Sequence, residues 1–404
     1  MPTLAEHDSP YSWGRLGLSL MIAIFGNVGM WAVVLVLPEI QTEFSVDRAD
    51  ASLPYVLTMI GFASGNLVMG RLVDRSGITT TLILSAVLMA LGFIVSATTS
   101  SFLLLTIAHF LIGIGSSSCF GPLIADISHW FMKRRGIAVA IAASGNYASG
   151  AIWPLVLSGI IVDDGWRFTY SILAVAMLVT VMPMSLFLRR RVSDDTHHRA
   201  GAAAAERAAH VPISPKLLMW CLALAGVGCC VAMSMPQVHI VAYCVDLGFG
   251  PAVGAEMLSL MLLGGIVSRL VSGWLADILG GLPTLLIGAT LQCLALILFL
   301  PFDGLVSLYL VSLAFGLSQG GIVPGYAIVV REYMPPKEAG QRVGFVMFAT
   351  ILGMALGGWM TGVIYDAAGG YDLAFLNGIA WNVMNIGIIC MILFWSRPRQ
   401  QETA

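Results

Sequence analysis

The sequence predicts an all-α membrane protein: twelve transmembrane helices arranged as two pseudo-symmetric six-helix bundles. Three observations lead there. The 404 residues are 58% apolar and only 10% charged, with a mean hydropathy of +0.88, whereas an ordinary soluble domain carries about 25% charged residues. A single soluble core cannot hide that much apolar surface from water, and a bilayer removes the need. The apolar residues fall into twelve windows, each near the length of about 20 residues that crosses a hydrocarbon core. The second six windows also repeat landmarks of the first at a constant offset, as in Gly70 and Gly273, Asp74 and Asp277, and Gly113 and Gly316.

The windows are 15–38, 51–70, 79–98, 102–124, 137–161 and 168–188, then 216–242, 253–275, 282–300, 305–329, 342–364 and 374–396. The first apolar run, Leu16 to Leu37, is long enough to span and lacks the short apolar core and small-residue cleavage site of a signal peptide, so it is expected to remain in the mature chain. Connections are short except for 189–215, which holds Arg189, Arg190, Arg191, two histidines and the run Gly201 to Ala205. The expected organisation is therefore an N-terminal bundle at 1–188, a linker at 189–215, a C-terminal bundle at 216–396 and a tail at 397–404. Of the 20 Lys and Arg residues, all but Arg48, Arg167 and Arg269 lie on the side of the termini. Basic loops stay inside, which places both termini and the linker in the cytoplasm.

Several function classes drop out. A net charge of −2 argues against a nucleic-acid partner. The seven cysteines (Cys119, Cys221, Cys229, Cys230, Cys244, Cys293 and Cys390) sit in apolar runs without metal-ligand spacing and read as small core residues. No phosphate-binding G-x-x-x-x-G-K-[ST] loop, no H-E-x-x-H and no nucleophile with an evident base occurs, so neither an ATP-driven device, a cofactor nor an enzyme is expected. A repeat of six-span units instead matches a transporter with its site between the halves.

Gly70-Arg-Leu-Val-Asp74-Arg75-Ser-Gly77 and its weaker copy Gly273 to Gly280 give the chain a name to compare with. Over essentially its whole length it resembles the major facilitator superfamily. The segments His129 to Gly136, Gly165-Trp-Arg167, His239 to Gly248, Gly264-Gly-Ile-Val-Ser-Arg269 and Gly362 to Tyr371 look most like the bacterial monocarboxylate and oxalate/formate branch. The resemblance implies a monomer in a bacterial inner membrane, with a small organic anion, protons and the lipid bilayer as partners. It implies that Gly70, Asp74, Arg75 and Gly77 lock the cytoplasmic gate, Asp74 capping a helix of the other half. Asp126 is expected to join that relay, and Asp277 is the repeat counterpart of Asp74. The basic pair that usually follows the last glycine is Ile78 and Thr79 here.

Arg269 is the strongest single signal. It lies two turns before Asp277, about 12 Å inside the helix end, where a charge costs several kcal/mol unless it finds a partner. Its neighbours one turn away are Gly265, Ile266, Ser272 and Gly273, none acidic. A guanidinium without an internal counter-ion suits a carboxylate, which it can grip with two parallel bonds. The alternative is pairing with an acid or carbonyls of another helix. By resemblance, the helix-eight arginine is the carboxylate ligand. Animal monocarboxylate carriers place an aspartate where Gly265 stands and a helix-one lysine where Trp31 aligns. Oxalate exchangers have a second cation in helix eleven, and Val343 to Met360 contains none. One buried cation favours a monoanion.

Further substrate-binding candidates are Asn146 and Tyr147 in helix five, Asn27 in helix one, Ser116 in helix four, Gln319 in helix ten (the repeat counterpart of Ser116) and His239 in helix seven. His239 and His109 are the proton-coupling candidates, because imidazole titrates near neutrality. Each has a plainer reading as a residue bonded between packed helices. The combined expectation is an alternating-access carrier of a small monocarboxylate, with proton symport and anion exchange both compatible. The rivals are an exporter of amphipathic organic compounds and a ligand receptor without flux.

Overall fold

The structure, a computed structural model, describes residues 7–190, 214–334 and 336–396. Twelve helices among them are long and apolar enough to cross a membrane. In chain order they are α1 (Pro10–Leu35), α2 (Arg48–Ser76), α3 (Ile78–Thr98), α4 (Phe102–Trp130), α5 (Gly136–Asp164), α6 (Trp166–Leu186), α7 (Pro215–Asp246), α8 (Pro251–Leu279), α9 (Gly281–Leu298), α10 (Leu305–Tyr333), α11 (Gln341–Ala368) and α12 (Asp372–Trp395). Twelve crossings bring both ends of the chain to one side, the terminal face. Most helices run several residues beyond their hydropathy windows, because their end turns are polar and drop out of an apolar average. Helix α7 starts one residue earlier than expected, at Pro215. The linker residues 191–213 and the tail 397–404 lie outside the described residues.

Local chemistry sets the ends. Ser9, Ser101 and Ser214 accept bonds from the exposed amides of α1, α4 and α7, as N-caps do. Gly77, Gly165 and Gly280 take positive φ (84°, 86° and 87°), so one residue ends α2, α5 or α8 and the next begins the following helix. A side chain there would be strained. Large apolar residues such as Leu103, Phe187, Val306 and Phe394 are exposed on the outside, as expected for a bundle whose solvent is lipid.

The repeat is visible in the packing. A Cβ on Gly113 would strike the Thr58 carbonyl of α2, and one on Gly316 would strike the Met261 carbonyl of α8. A Cβ on Gly61 would strike the Phe110 carbonyl of α4, and one on Gly264 would crowd the Leu317 amide and Leu313 carbonyl of α10 (3.1 and 3.2 Å). Both α4 and α10 are interrupted at equivalent depth, between Ser117 and Gly121 and between Gln319 and Ile322. Helix α1 breaks at Asn27. The two halves meet along α5 against α8 and α2 against α11.

Candidate functional site

Arg269 sits where three helices meet. Gly265 and Gly320 let α8 and α10 touch backbone to backbone, and the Arg269 side chain uses that closeness. Its Nε donates to the Gly320 carbonyl (3.2 Å), and its Nη1 donates across the bundle boundary to the Ala143 carbonyl of α5 (2.5 Å). The guanidinium lies over the Tyr147 ring, 4.2 Å from its centroid. The residue is 8% exposed. Three ion pairs form among the described residues, and none includes Arg269. Carbonyl dipoles and an aromatic face hold the cation, but no described carboxylate neutralises it.

Two more expected residues join it. The Tyr147 hydroxyl donates to Gln319 Oε1 (3.3 Å), and Gln319 Nε2 is buried without a hydrogen-bond partner. Asn146, the neighbour of Tyr147, accepts from the Trp31 indole through its carbonyl (3.1 Å) and its Oδ1 (3.2 Å). Trp31 in turn packs against Gly150. The cluster thus offers one positive charge, one unused amide donor, a phenol and an aromatic wall, set at the seam between the halves. Such a set can receive the oxygens of an anion.

The other candidates are placed elsewhere. Asn27 Nδ2 donates to the Ala23 and Cys119 carbonyls (2.8 and 3.2 Å), and Ser116 donates to the Gly26 carbonyl (2.7 Å). Both repair the break in α1 and tie it to α4. His109 Nδ1–H donates to the Leu105 carbonyl (2.9 Å), and its Nε2 accepts from the Tyr170 hydroxyl (3.1 Å). It is a buried histidine bridging helices inside one bundle. No contact joins these three to Arg269.

His239 belongs to a polar latch on the face opposite the termini. Its Nε2–H donates to the Gly358 carbonyl (2.7 Å), and its Nδ1 lies 3.3 Å from the Tyr371 hydroxyl, from which the neutral ring accepts. The Tyr371 oxygen accepts from Arg48 Nη1 (2.5 Å). Arg48 also grips Asp246 with two bonds (3.2 and 3.1 Å) and donates to Gln41 Oε1 (2.7 Å). Asp366 caps the first amides of α2, at Arg48 and Ala49 (3.0 and 2.7 Å). Arg48 and Gln41 come from the N-terminal half, and Asp246, Asp366, Tyr371 and His239 from the other. Sequence reading missed this latch. Its one available signal was that Arg48 is among the few basic residues away from the terminal face.

The terminal face looks different. Asp74, Arg75 and Asp277 are exposed and bonded to no described residue. A Cβ on Gly70 would meet no described atom within 4 Å. Gly77 serves as the α2–α3 junction. Asp126 pairs within its own bundle: Arg15 of α1 donates to both its oxygens (3.0, 3.0 and 2.8 Å) while lying over Trp130. Glu332, which the sequence did not single out, accepts from the Gly281 amide and so caps α9 (3.0 and 3.2 Å).

A family model described as the Major Facilitator Superfamily matches residues 19–301 and 220–404. The chain belongs to that superfamily. As a major facilitator protein it is a transporter, not an enzyme. It is 26% identical over 392 residues to monocarboxylate transporter 13 of Rattus norvegicus, covering 93% of this chain and 89% of the relative. It is 24% identical over 359 residues to the agnestins efflux protein AgnL12 of Paecilomyces divaricatus, covering 87% and 80%. Among solved structures it is similar to a bacterial homolog of the human lysosomal transporter Spinster in an inward-facing and occupied conformation. The TM-score is 0.71 at 16% identity, over 96% of this chain and 98% of that one. That likeness extends to the fold.

Proposed function

We propose that this transporter carries a small monocarboxylate across a bacterial inner membrane by alternating access, with a proton moving alongside. The observation that supports this best is Arg269, a buried guanidinium at the seam between the halves with no described carboxylate beside it. An anion supplies the missing charge, and Tyr147, Gln319 and Asn146 meet its oxygens and its apolar end. A single cation suits one carboxylate better than two. The carrier in Rattus norvegicus, named for monocarboxylates, points the same way. The Lys and Arg distribution orients the termini to the cytoplasm. The interruptions in α1, α4 and α10 put irregular backbone at mid-depth, as transporter sites do. Asp74 and Arg75 belong to the cytoplasmic gate that engages when the site opens to the other side.

The second reading is export of amphipathic organic compounds, favoured by the similarity to an efflux protein. Reconstitution into liposomes separates the two. Labelled mono- and dicarboxylates are offered with and without an inward proton gradient, to the native protein and to Arg269→Ala. Uptake of a monocarboxylate, stimulated by the gradient and reduced at least about a hundredfold in the variant, is the expected result, since charge-assisted pairs in a dry site are among the strongest polar contacts. Unchanged carboxylate uptake by the variant, or no carboxylate uptake at all, removes the proposal and brings export forward.

A further inference from the structure

We propose that His239 is the proton sensor of the gate opposite the termini: protonation at its Nδ1 releases Arg48 and lets that face open. The inference deepens the proposed function, because it rests on alternating access and names the coupling residue and its action.

His239 is 1% exposed and makes two bonds, with Nε2–H on the Gly358 carbonyl and Nδ1 accepting from Tyr371. With the neutral imidazole, Nδ1 is an acceptor and Tyr371 is its donor. The same Tyr371 oxygen accepts from Arg48, whose other donors hold Asp246 and Gln41. Tyr371 therefore donates a hydrogen bond through its O–H to the imidazole and accepts one from the guanidinium on its oxygen. A solvent proton that adds to the Nδ1 lone pair forms an N–H bond and removes that acceptor. The Tyr371 hydroxyl keeps its own proton but must turn away, and its oxygen is then caught between two cations.

The acids around the latch are bonded elsewhere: Asp246 to Arg48 and Asp366 to two backbone amides, while Asp303 and Asp372 lie beyond Tyr243, and none bonds to His239 or Tyr371. Tyr365 lies under the guanidinium with its ring face, 4.4 Å away. Tyr243 packs edge-on to Tyr371, and Tyr55 lies against Gly358. Neither offers a negative charge. Two positive charges sharing one phenol in a buried site repel by several kcal/mol, and Arg48 is the member that can withdraw. Because the Arg48 side chain joins the two halves through Asp246 and Tyr371, its withdrawal leaves the Asp366 cap on the α2 amides as the one polar link described there. The closed latch selects neutral His239, and the open one accepts the proton, so acid on that side favours opening.

The test reads the gate and not the flux. Spin labels are placed on Ser100→Cys in the α3–α4 turn and Asp303→Cys in the α9–α10 turn, both exposed and on opposite halves, in a background lacking Cys221 and Cys390. Lowering the pH from about 8 to about 5.5, across the imidazole range, should raise the longer-distance population of the native latch by about tenfold. His239→Gln keeps a donor for Gly358 and an acceptor for Tyr371, and should stay closed at both pH values. Tyr371→Phe cuts the link between imidazole and guanidinium and should also lose the pH response. Arg48→Ala should be open at both, which shows that the labels report opening. A native latch that ignores pH, or one that still opens with acid in His239→Gln, overturns the inference. A pH-driven gate in a protein that moves no carboxylate would overturn the proposed substrate alone. Carboxylate uptake beside a pH-blind gate would overturn this inference alone.

Discussion

The two faces of the molecule are built from the same repeated parts and are in opposite conditions. Opposite the termini, α11 lies so close to α2 that a Cβ on Gly362 would stand 2.7 Å from Ala49 Cα, and one on Gly358 2.9 Å from the Tyr55 ring. Arg48, Asp246, Tyr371 and Asp366 stitch that contact together. On the terminal face, Gly70 at the foot of α2 and Gly344 at the foot of α11 meet no described atom, and Asp74 has no described partner. Among the described residues, α2 and α11 are fastened to each other at one end and not at the other. Arg269, held between α5, α8 and α10, sits at the seam between the two halves.

Removing the fastener should have the largest effect. In Arg48→Ala, Asp246 and the Tyr371–His239 pair lose their cation in a setting where Arg48 is 7% and Asp246 27% exposed. Breaking such a pair costs about 3–5 kcal/mol, and distance measurements across the two halves should show the closed population falling by two or more orders of magnitude. Next comes a matched pair of glycines. Gly362→Ala should open the same face at a cost of about 1–3 kcal/mol, since backbone and not a pliable side chain stands in the way. Gly344→Ala, with open space around it, should leave the closed face intact and raise thermal stability by up to about 1 kcal/mol. If both substitutions behave alike, the contrast between the faces is wrong.

Smaller effects sharpen the contrast. Glu43 and Arg167 also pair on the latched face, but within one half and at 39% and 32% exposure. Glu43→Gln should cost no more than about 1 kcal/mol, fade with salt and leave the gate closed. Asp74→Asn should leave the melting temperature within about half a kcal/mol of native, because Asp74 supports nothing described in this state. A slowed transport cycle with unchanged stability would tie Asp74 to the state in which the terminal face closes.

Much of this was legible in the sequence, for physical reasons. Spans announce themselves because each must supply its own apolar length. The repeat was visible because the Gly113 and Gly316 contacts with α2 and α8 tolerate no side chain. Arg269 stood out because charge in a span is expensive. Partnerships were not legible. Arg48, Asp246, Asp366 and Tyr371 each read as a polar end of an apolar segment, and nothing in their spacing says that they meet. Asp126 read as part of a gate relay, but its partner is Arg15 of α1, 111 residues away in the same half. His239 read as a candidate for the substrate site, and only its bonds to Gly358 and Tyr371 assign it to the latch.

Carboxylate binding at Arg269 can be measured without transport. Calorimetric titration of the purified protein would compare a short monocarboxylate with its uncharged amide, on the native chain and on Arg269→Gln. The account predicts that the native protein prefers the carboxylate by at least about a hundredfold, the worth of a buried charge-assisted pair. It also predicts that Arg269→Gln loses most of that preference. Equal preference in both proteins would contradict the account and leave Arg269 as a helix-joining cation satisfied by the carbonyls of Gly320 and Ala143.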